Sequence, residues 1–228
     1  MKSRIKLFTC LGVLLPALAG GAAAPQKELA QVLAARPDPE HGAQLFQQCI
    51  ACHGPNGAGA IEGTTPRIAG QHYRVLARQI VDFRHGKRWD FLMEKIAVGH
   101  SLTTAQDVAD VAMYVSSLDW RGARGLGNGQ QLQLGATIYE ERCQSCHGRD
   151  ASGDDPQGIP RLGGQHSAYL VRQIYDAVDG RRPLLTRSHK QRFESLDFEA
   201  ILALTDYLAR VGSPAMARSV NEPPRLRD

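Results

Sequence analysis

A chain of 228 residues, with 27 Lys and Arg against 23 Asp and Glu, is long enough for one large domain or two small ones, each with a modest core. Its formal charge of +4 overstates its basic character, because residues 1–24 hold three of the cations and none of the acids. The remainder is close to neutral, which removes the electrostatic case for a nucleic-acid partner.

The first residues read as a secretory signal peptide. Lys2, Arg4 and Lys6 precede an apolar run over 7–18 and small residues over 19–24. The run is too short to span a bilayer comfortably and no stop-transfer pattern follows, so cleavage is expected, after Ala19 or Ala23, with no transmembrane anchor left. Cys10 lies inside the run and is expected to go with it. The expected location is therefore the periplasm, for a mature chain that keeps Cys49, Cys52, Cys143 and Cys146.

Beyond this segment the pattern is helical. Asp38 is placed to cap a short helix with Pro39 at its first position, and Leu45, Phe46, Cys49 and Ile50 share one face of it. That helix ends in Cys49-Ile50-Ala51-Cys52-His53, and a glycine-rich loop over 54–63 follows. Helical spacing returns over 73–83, and Thr103-Thr104-Ala105-Gln106 gives a capping-box pattern ahead of Val108, Val111, Ala112, Val115 and Leu118. The stretch around 121–130 is rich in glycine and free of acids, as a linker is.

The second half repeats the first. Shifting the sequence by 94 lays Cys49 on Cys143 and carries the Pro66–His72 stretch, Pro-Arg-Ile-Ala-Gly-Gln-His, onto Pro-Arg-Leu-Gly-Gly-Gln-His from Pro160 to His166. Arg78-Gln79-Ile80 then falls on Arg172-Gln173-Ile174, and Arg88 on Arg182, still without a gap. A further glycine-rich loop is expected over 148–158, a helix over 168–178, and a closing helix capped by Asp197 that carries Ile201, Leu204, Leu208 and Val211. No strand is expected. The chain thus reads as all-α, with a first domain over 25–120, a linker over 121–130, a second domain over 131–212 and a polar tail over 213–228.

Four cysteines in an exported chain would ordinarily suggest two disulfides, and a Cys-x-x-Cys pair can be half of a zinc site. Neither accounts for a His immediately after each pair. Two thiols on successive turns can instead add to the two vinyl groups of one porphyrin, and the adjacent His then reaches the iron. Two covalently bound heme c groups are expected, attached through Cys49, Cys52, Cys143 and Cys146, with His53 and His147 as proximal ligands. Each domain is then a small helical fold around one heme.

Across nearly the whole mature chain, the two Cys-x-x-Cys-His-Gly motifs, the Pro-Arg-x-x-Gly-Gln segments and the closing helices with Tyr114-Val115 and Tyr207-Leu208 resemble the diheme cytochromes c4. The resemblance implies two tandem cytochrome c domains that carry electrons in the periplasm, typically toward terminal oxidases. It also implies that Pro66 and Pro160 set carbonyls on the free ring nitrogens of His53 and His147, where they tune ligand basicity. In that family a Met shortly before the Leu that opens the closing helix is the distal ligand. Met93 fits in the first domain, with core packing as its bland alternative and His100 and His85 as competitors. Met1, Met113 and Met216 lie in the signal, mid-helix and in the tail.

The second domain departs from the family, for no Met lies between Cys143 and Val211. His189, seven residues before Leu196, stands at the spacing expected of the ligand, although its polar neighbours also suit a surface residue. A thioether is a softer and weaker donor than imidazole and favours ferrous iron, so heme 1 is expected at the higher potential, with electrons entering at heme 2 and leaving from heme 1. The leading expectation is an electron carrier, not an enzyme, between a redox-protein donor and a terminal oxidase or reductase. The alternatives are a diheme peroxidase or thiosulfate-oxidising enzyme with an open heme 2, where Arg181, Arg182, Arg187, His189 and Arg192 bind an anion, and a cytochrome subunit docked to a dehydrogenase.

Overall fold

The computed structural model describes residues 24–99, 101–119, 122–182 and 187–212. His100, residues 1–23 of the expected signal peptide and the tail with Met216 lie outside them. The described chain is helical, and its only β pairing is an isolated bridge between Asp154 and Ile159.

The first domain holds α1 (Ala24–Ala34), α2 (Pro39–Leu45), a 3₁₀ turn (Phe46–Cys49), α3 (Ile50–His53), α4 (Tyr73–Arg84), α5 (Phe91–Ala97) and α6 (Ala105–Ser117). The second holds α7 (Leu132–Arg142), α8 (Gln144–His147), α9 (Ser167–Val178), α10 (Arg187–Glu194) and α11 (Phe198–Arg210). Asp38 caps α2 by accepting from the Glu40 and His41 N–H groups, and Pro39, whose missing N–H costs nothing there, opens the helix. Asp197 caps α11 through the Ala200 N–H.

The capping box of α6 differs from the sequence reading by one residue. Thr104 is the residue left extended, so its partner three positions on is Asp107. Gln106 instead donates to the Arg36 carbonyl and to Asp110.

In each domain the helix before the heme motif crosses the closing helix at a glycine. A Cβ on Gly42 would stand 2.1 Å from the Asp110 carbonyl oxygen, and one on Gly135 would stand 2.1 Å from that of Ala203. Only glycine permits the crossing that puts each heme motif against its closing helix. Around it gather Phe46, Val81, Val108, Val111 and Val115 in one core, and Ile138, Tyr139, Ile174, Leu204 and Leu208 in the other.

Helix α1 was not foreseen from the sequence. Val32 is fully buried in the first core, Leu29 and Leu33 pack beside it, and the Tyr73 hydroxyl donates to the Val32 carbonyl. Glu28 binds both Arg84 and His85. The glycine-rich linker is no loose tether either: Asp206 accepts from the Gly127 and Gly129 N–H groups, and Gly125 passes so close to the Ile61 carbonyl that any side chain would collide with it.

The two domains meet through their Pro-Arg-x-x-Gly-Gln-His segments about a local two-fold axis. Gln71 accepts from the Arg161 N–H and donates to its carbonyl; Gln165 does the same to Arg67. His72 Nε2 reaches the Ser152 carbonyl at 2.7 Å, and His166 Nε2 reaches that of Ala58 at 2.8 Å. Further out, Arg88 donates to Gln79 and Gln173, and Arg182 donates to the same two side chains. These paired contacts mirror one another across the shift of 94, as in a self-complementary interface, whereas the Arg172 donations to the Gly63 and Thr64 carbonyls have no counterpart among the described residues.

Candidate heme-binding sites

No disulfide joins the four cysteines, of which Cys49 and Cys143 are half-buried and Cys52 and Cys146 exposed. Burial pushes Cys49 and Cys143 up to about 11, the reverse of the depressed thiol that a dithiol oxidoreductase needs. Among the described residues no group of three or more His, Cys, Asp or Glu could hold a metal ion, so neither pair sits in a zinc-type ligand set.

His53 and His147 are both buried. Each directs Nδ1 at a proline carbonyl 3.0 Å away, Pro66 for His53 and Pro160 for His147. A carbonyl only accepts, so the proton sits on Nδ1 and Nε2 keeps its lone pair. Burial lowers both pKa values, which keeps the rings neutral as a metal requires.

The carbonyl is held in place by the loop after each motif. Gly59 donates to the His53 carbonyl and Gly153 to that of His147, both at 2.9 Å. Both glycines have φ of +73, and a Cβ on either would lie 2.5 Å from the oxygen of Pro66 or Pro160. These two glycines are more than turn-formers, since they let the loop close over the histidine's partner.

The distal sides differ. In the second domain the His189 ring lies 6.2 Å from that of His147, centroid to centroid and nearly perpendicular, and Phe193 one turn on packs against it at 5.4 Å. Burial, helped by the charges of His147, Arg182 and Arg192, lowers the His189 pKa to about 4, so the imidazole is neutral near pH 7. In the first domain Met93 is half-buried on α5, and its N–H is bound by the capping residue Asp90, whose charge is felt at His53. Of the competitors for that place, His85 is engaged at Nε2 by Glu28. In the second domain His166 is no rival to His189, because it uses both nitrogens, accepting from the Gly125 N–H and donating to the Ala58 carbonyl.

Of the arginines expected to bind an anion at His189, the side chain of Arg187 lies outside the described residues and the other three have other partners. Arg181 is paired with Asp176 and Asp179, and Arg182 donates into the glutamines of the domain interface. Arg192 donates to the Arg142 carbonyl.

A family model for cytochrome c matches residues 39–119 and again 132–211. Cytochrome c4 of Azotobacter vinelandii is 30% identical over 173 residues, which cover 67% of this chain and 80% of that one. The chain belongs to the diheme cytochrome c4 family. The crystal structure of reduced recombinant cytochrome c4 from Pseudomonas stutzeri superposes with a TM-score of 0.68 at 28% identity, covering 77% of this chain and all of that one. A protein of Thiomonas intermedia named as a thiosulfate dehydrogenase electron acceptor is 35% identical over 143 residues, covering 59% of this chain and 64% of that one.

Membership in this family makes the chain an all-helical, two-domain electron-transfer cytochrome. It carries two covalently bound heme c groups at Cys49/Cys52 and Cys143/Cys146. Bound there, each heme supplies one-electron chemistry at its iron, while the chain supplies ligands, burial and partner contacts. No described helix is long and apolar enough to cross a membrane.

Proposed function

We propose that this chain is a periplasmic one-electron carrier with unlike hemes, His53/Met93 in the first domain and His147/His189 in the second. The observation that carries the reading is the 6.2 Å between the His147 and His189 rings. A metal bound to two imidazole nitrogens at roughly 2 Å each sets the ring centres about 6 Å apart. Neutral His189, braced by Phe193, has the geometry and protonation state of a ligand.

The thioether of Met93 favours ferrous iron more than the imidazole of His189 does, which makes the first domain the electron-accepting end of the pair. The relative named as an electron acceptor of a thiosulfate dehydrogenase supports a dehydrogenase as donor, with a terminal oxidase or reductase beyond. The charged and apolar pattern of residues 1–24 supports export through a cleaved signal.

Ferric spectra of the holoprotein test the ligand set. Wild type is expected to be low-spin at both hemes, with Met93→Ala opening heme 1 alone and His189→Ala opening heme 2 alone. A heme 2 that stays low-spin in His189→Ala would refute the assignment. A high-spin heme 2 in the wild type would put the enzyme reading in its place.

A further inference from the structure

Between Arg88 and Leu102, and between Arg182 and Leu196, the two domains have the same number of residues, so the shift of 94 holds across α5 and α10. Within that frame the edges near the attachment cysteines differ. Where the second domain has Arg142, Arg149, Lys190 and Arg192, the first has Gln48, Pro55, Ile96 and Val98. Trp89, Phe91, Leu92 and Val98 make the α5 side of the first domain an exposed apolar surface.

The cations of the second domain are held in place. Arg142 donates to the Arg192 carbonyl and to Ser195 Oγ, and Arg192 donates back to the Arg142 carbonyl, so the two guanidiniums lock the end of α7 to α10. Both lie near Cys143, the first attachment cysteine of heme 2. Neither forms an ion pair among the described residues, in contrast to Arg181. Three carboxylates of this region have other partners: Glu194 pairs with Lys190 at 3.8 Å, Asp150 accepts from the Ser152 N–H and Asp197 caps α11, while Glu140 and Glu141 are exposed on α7.

From this arrangement we infer that the α7–α10 edge of the second domain is a docking surface for a redox partner protein with an acidic rim, and that the α5 edge of the first domain is not. Two like charges pinned side by side repel one another, and an acidic surface relieves that repulsion without reorganising either side chain. Pre-ordered cations around a heme edge steer an acidic partner to that edge and fix its orientation. The contact is electrostatic and exposed, so salt weakens it.

The inference rests on the carrier reading, since a carrier must meet a partner, but it is tested separately from the ligands. The holoprotein is titrated calorimetrically with poly-L-glutamate at low and at physiological ionic strength, and protection from hydrogen exchange locates the contact. Replacing both arginines (Arg142→Gln with Arg192→Gln) is expected to weaken binding about tenfold at low salt. Lys190→Glu, which leaves the arginine lock intact, is expected to weaken it about threefold, and Lys95→Gln on α5 to leave it within twofold. Protection is expected over α10 and the end of α7.

The docking surface is overturned if the double variant and Lys190→Glu bind as wild type does, or if protection falls on α5. It is equally overturned if phosphatidylglycerol vesicles bind this edge and poly-L-glutamate does not compete, which would make the surface a membrane contact. The absorption spectrum of each variant reports whether heme 2 keeps its ligands. A heme 2 that stays low-spin in His189→Ala would sink the ligand assignment while leaving the binding pattern as it stands.

Discussion

The two domains of this chain share a frame and differ in what faces outward from it. In both, a glycine crossing seats the heme motif against the closing helix, and a φ-positive glycine folds a loop so that a proline carbonyl binds the proximal histidine. Helix α5 of the first domain carries Met93 among exposed apolar residues, and α10 of the second carries His189 among cations. His189 falls opposite Lys95 and not opposite Met93, so the second domain does more than exchange one side chain for another at a fixed position. Duplication kept the parts that attach and orient a heme and let the α5 and α10 faces diverge.

The shared frame is the easiest part of this comparison to break. Gly42→Ala and Gly135→Ala each drive a methyl into a backbone carbonyl, and relaxation can come only from separating two packed helices. Each is expected to cost about 3 kcal/mol or more, by thermal unfolding of the holoprotein. Equal losses would support an equivalent frame, while a loss in one domain alone would show that the other can slide its helices.

Exchanging the distal groups sharpens the other half of the comparison. Met93→His is expected to lower the potential of heme 1, and His189→Met to raise that of heme 2. Each shift should be on the order of 0.1–0.3 V, within the roughly 0.8 V that axial ligands span. Heme-resolved redox titration reads both, and an unchanged heme 2 in His189→Met would mean that His189 does not face the iron.

Much of this was legible in the sequence because it is local. The Asp38 and Asp197 caps, the Cys-x-x-Cys-His motifs and the repeat of 94 depend on neighbours within a few residues or on self-comparison. Helix α1 was not legible, because the short run from Leu29 to Leu33 becomes helical by packing on a core built much later in the chain. The reciprocal Gln71–Arg161 and Gln165–Arg67 bonds were hidden for a different reason. The repeated glutamines were visible, but that each serves the opposite domain follows only once the two copies face one another. The arginines around His189 misled by proximity in sequence, since two of them turn away to interface glutamines and to acids.

Those glutamines also measure how symmetric the interface is. Gln165 is buried and Gln71 only half so, although each satisfies one backbone N–H and one carbonyl across the interface. Gln165→Ala is expected to cost about 2–3 kcal/mol, because it strands both groups away from water, and Gln71→Ala about 1 kcal/mol, because water can replace the amide. Denaturant unfolding of the two variants gives the difference, and equal costs would mean that water reaches both.

An effect of similar size to that of the glutamines is a pH dependence confined to one domain. Asp82 is buried, and burial lifts its carboxyl to about 6 even though the cations Arg78, Arg182 and Arg88 pull it down. Its repeat partner Asp176 instead receives hydrogen bonds from Arg181 and Gln173. With a folded pKa above the ordinary carboxylate value, the native state holds a proton on Asp82 that the unfolded chain releases. The resulting stability is complete below about pH 4, falls as pH rises, and is gone above about pH 6. A shift of this size amounts to at most about 3 kcal/mol, and partial hydration reduces it to about 1–2 kcal/mol. Asp82→Asn cannot titrate, so unfolding free energies of wild type relative to Asp82→Asn should fall by that amount between pH 4 and pH 7. The opposite slope would show that the three arginines outweigh burial and hold Asp82 ionised at the domain interface.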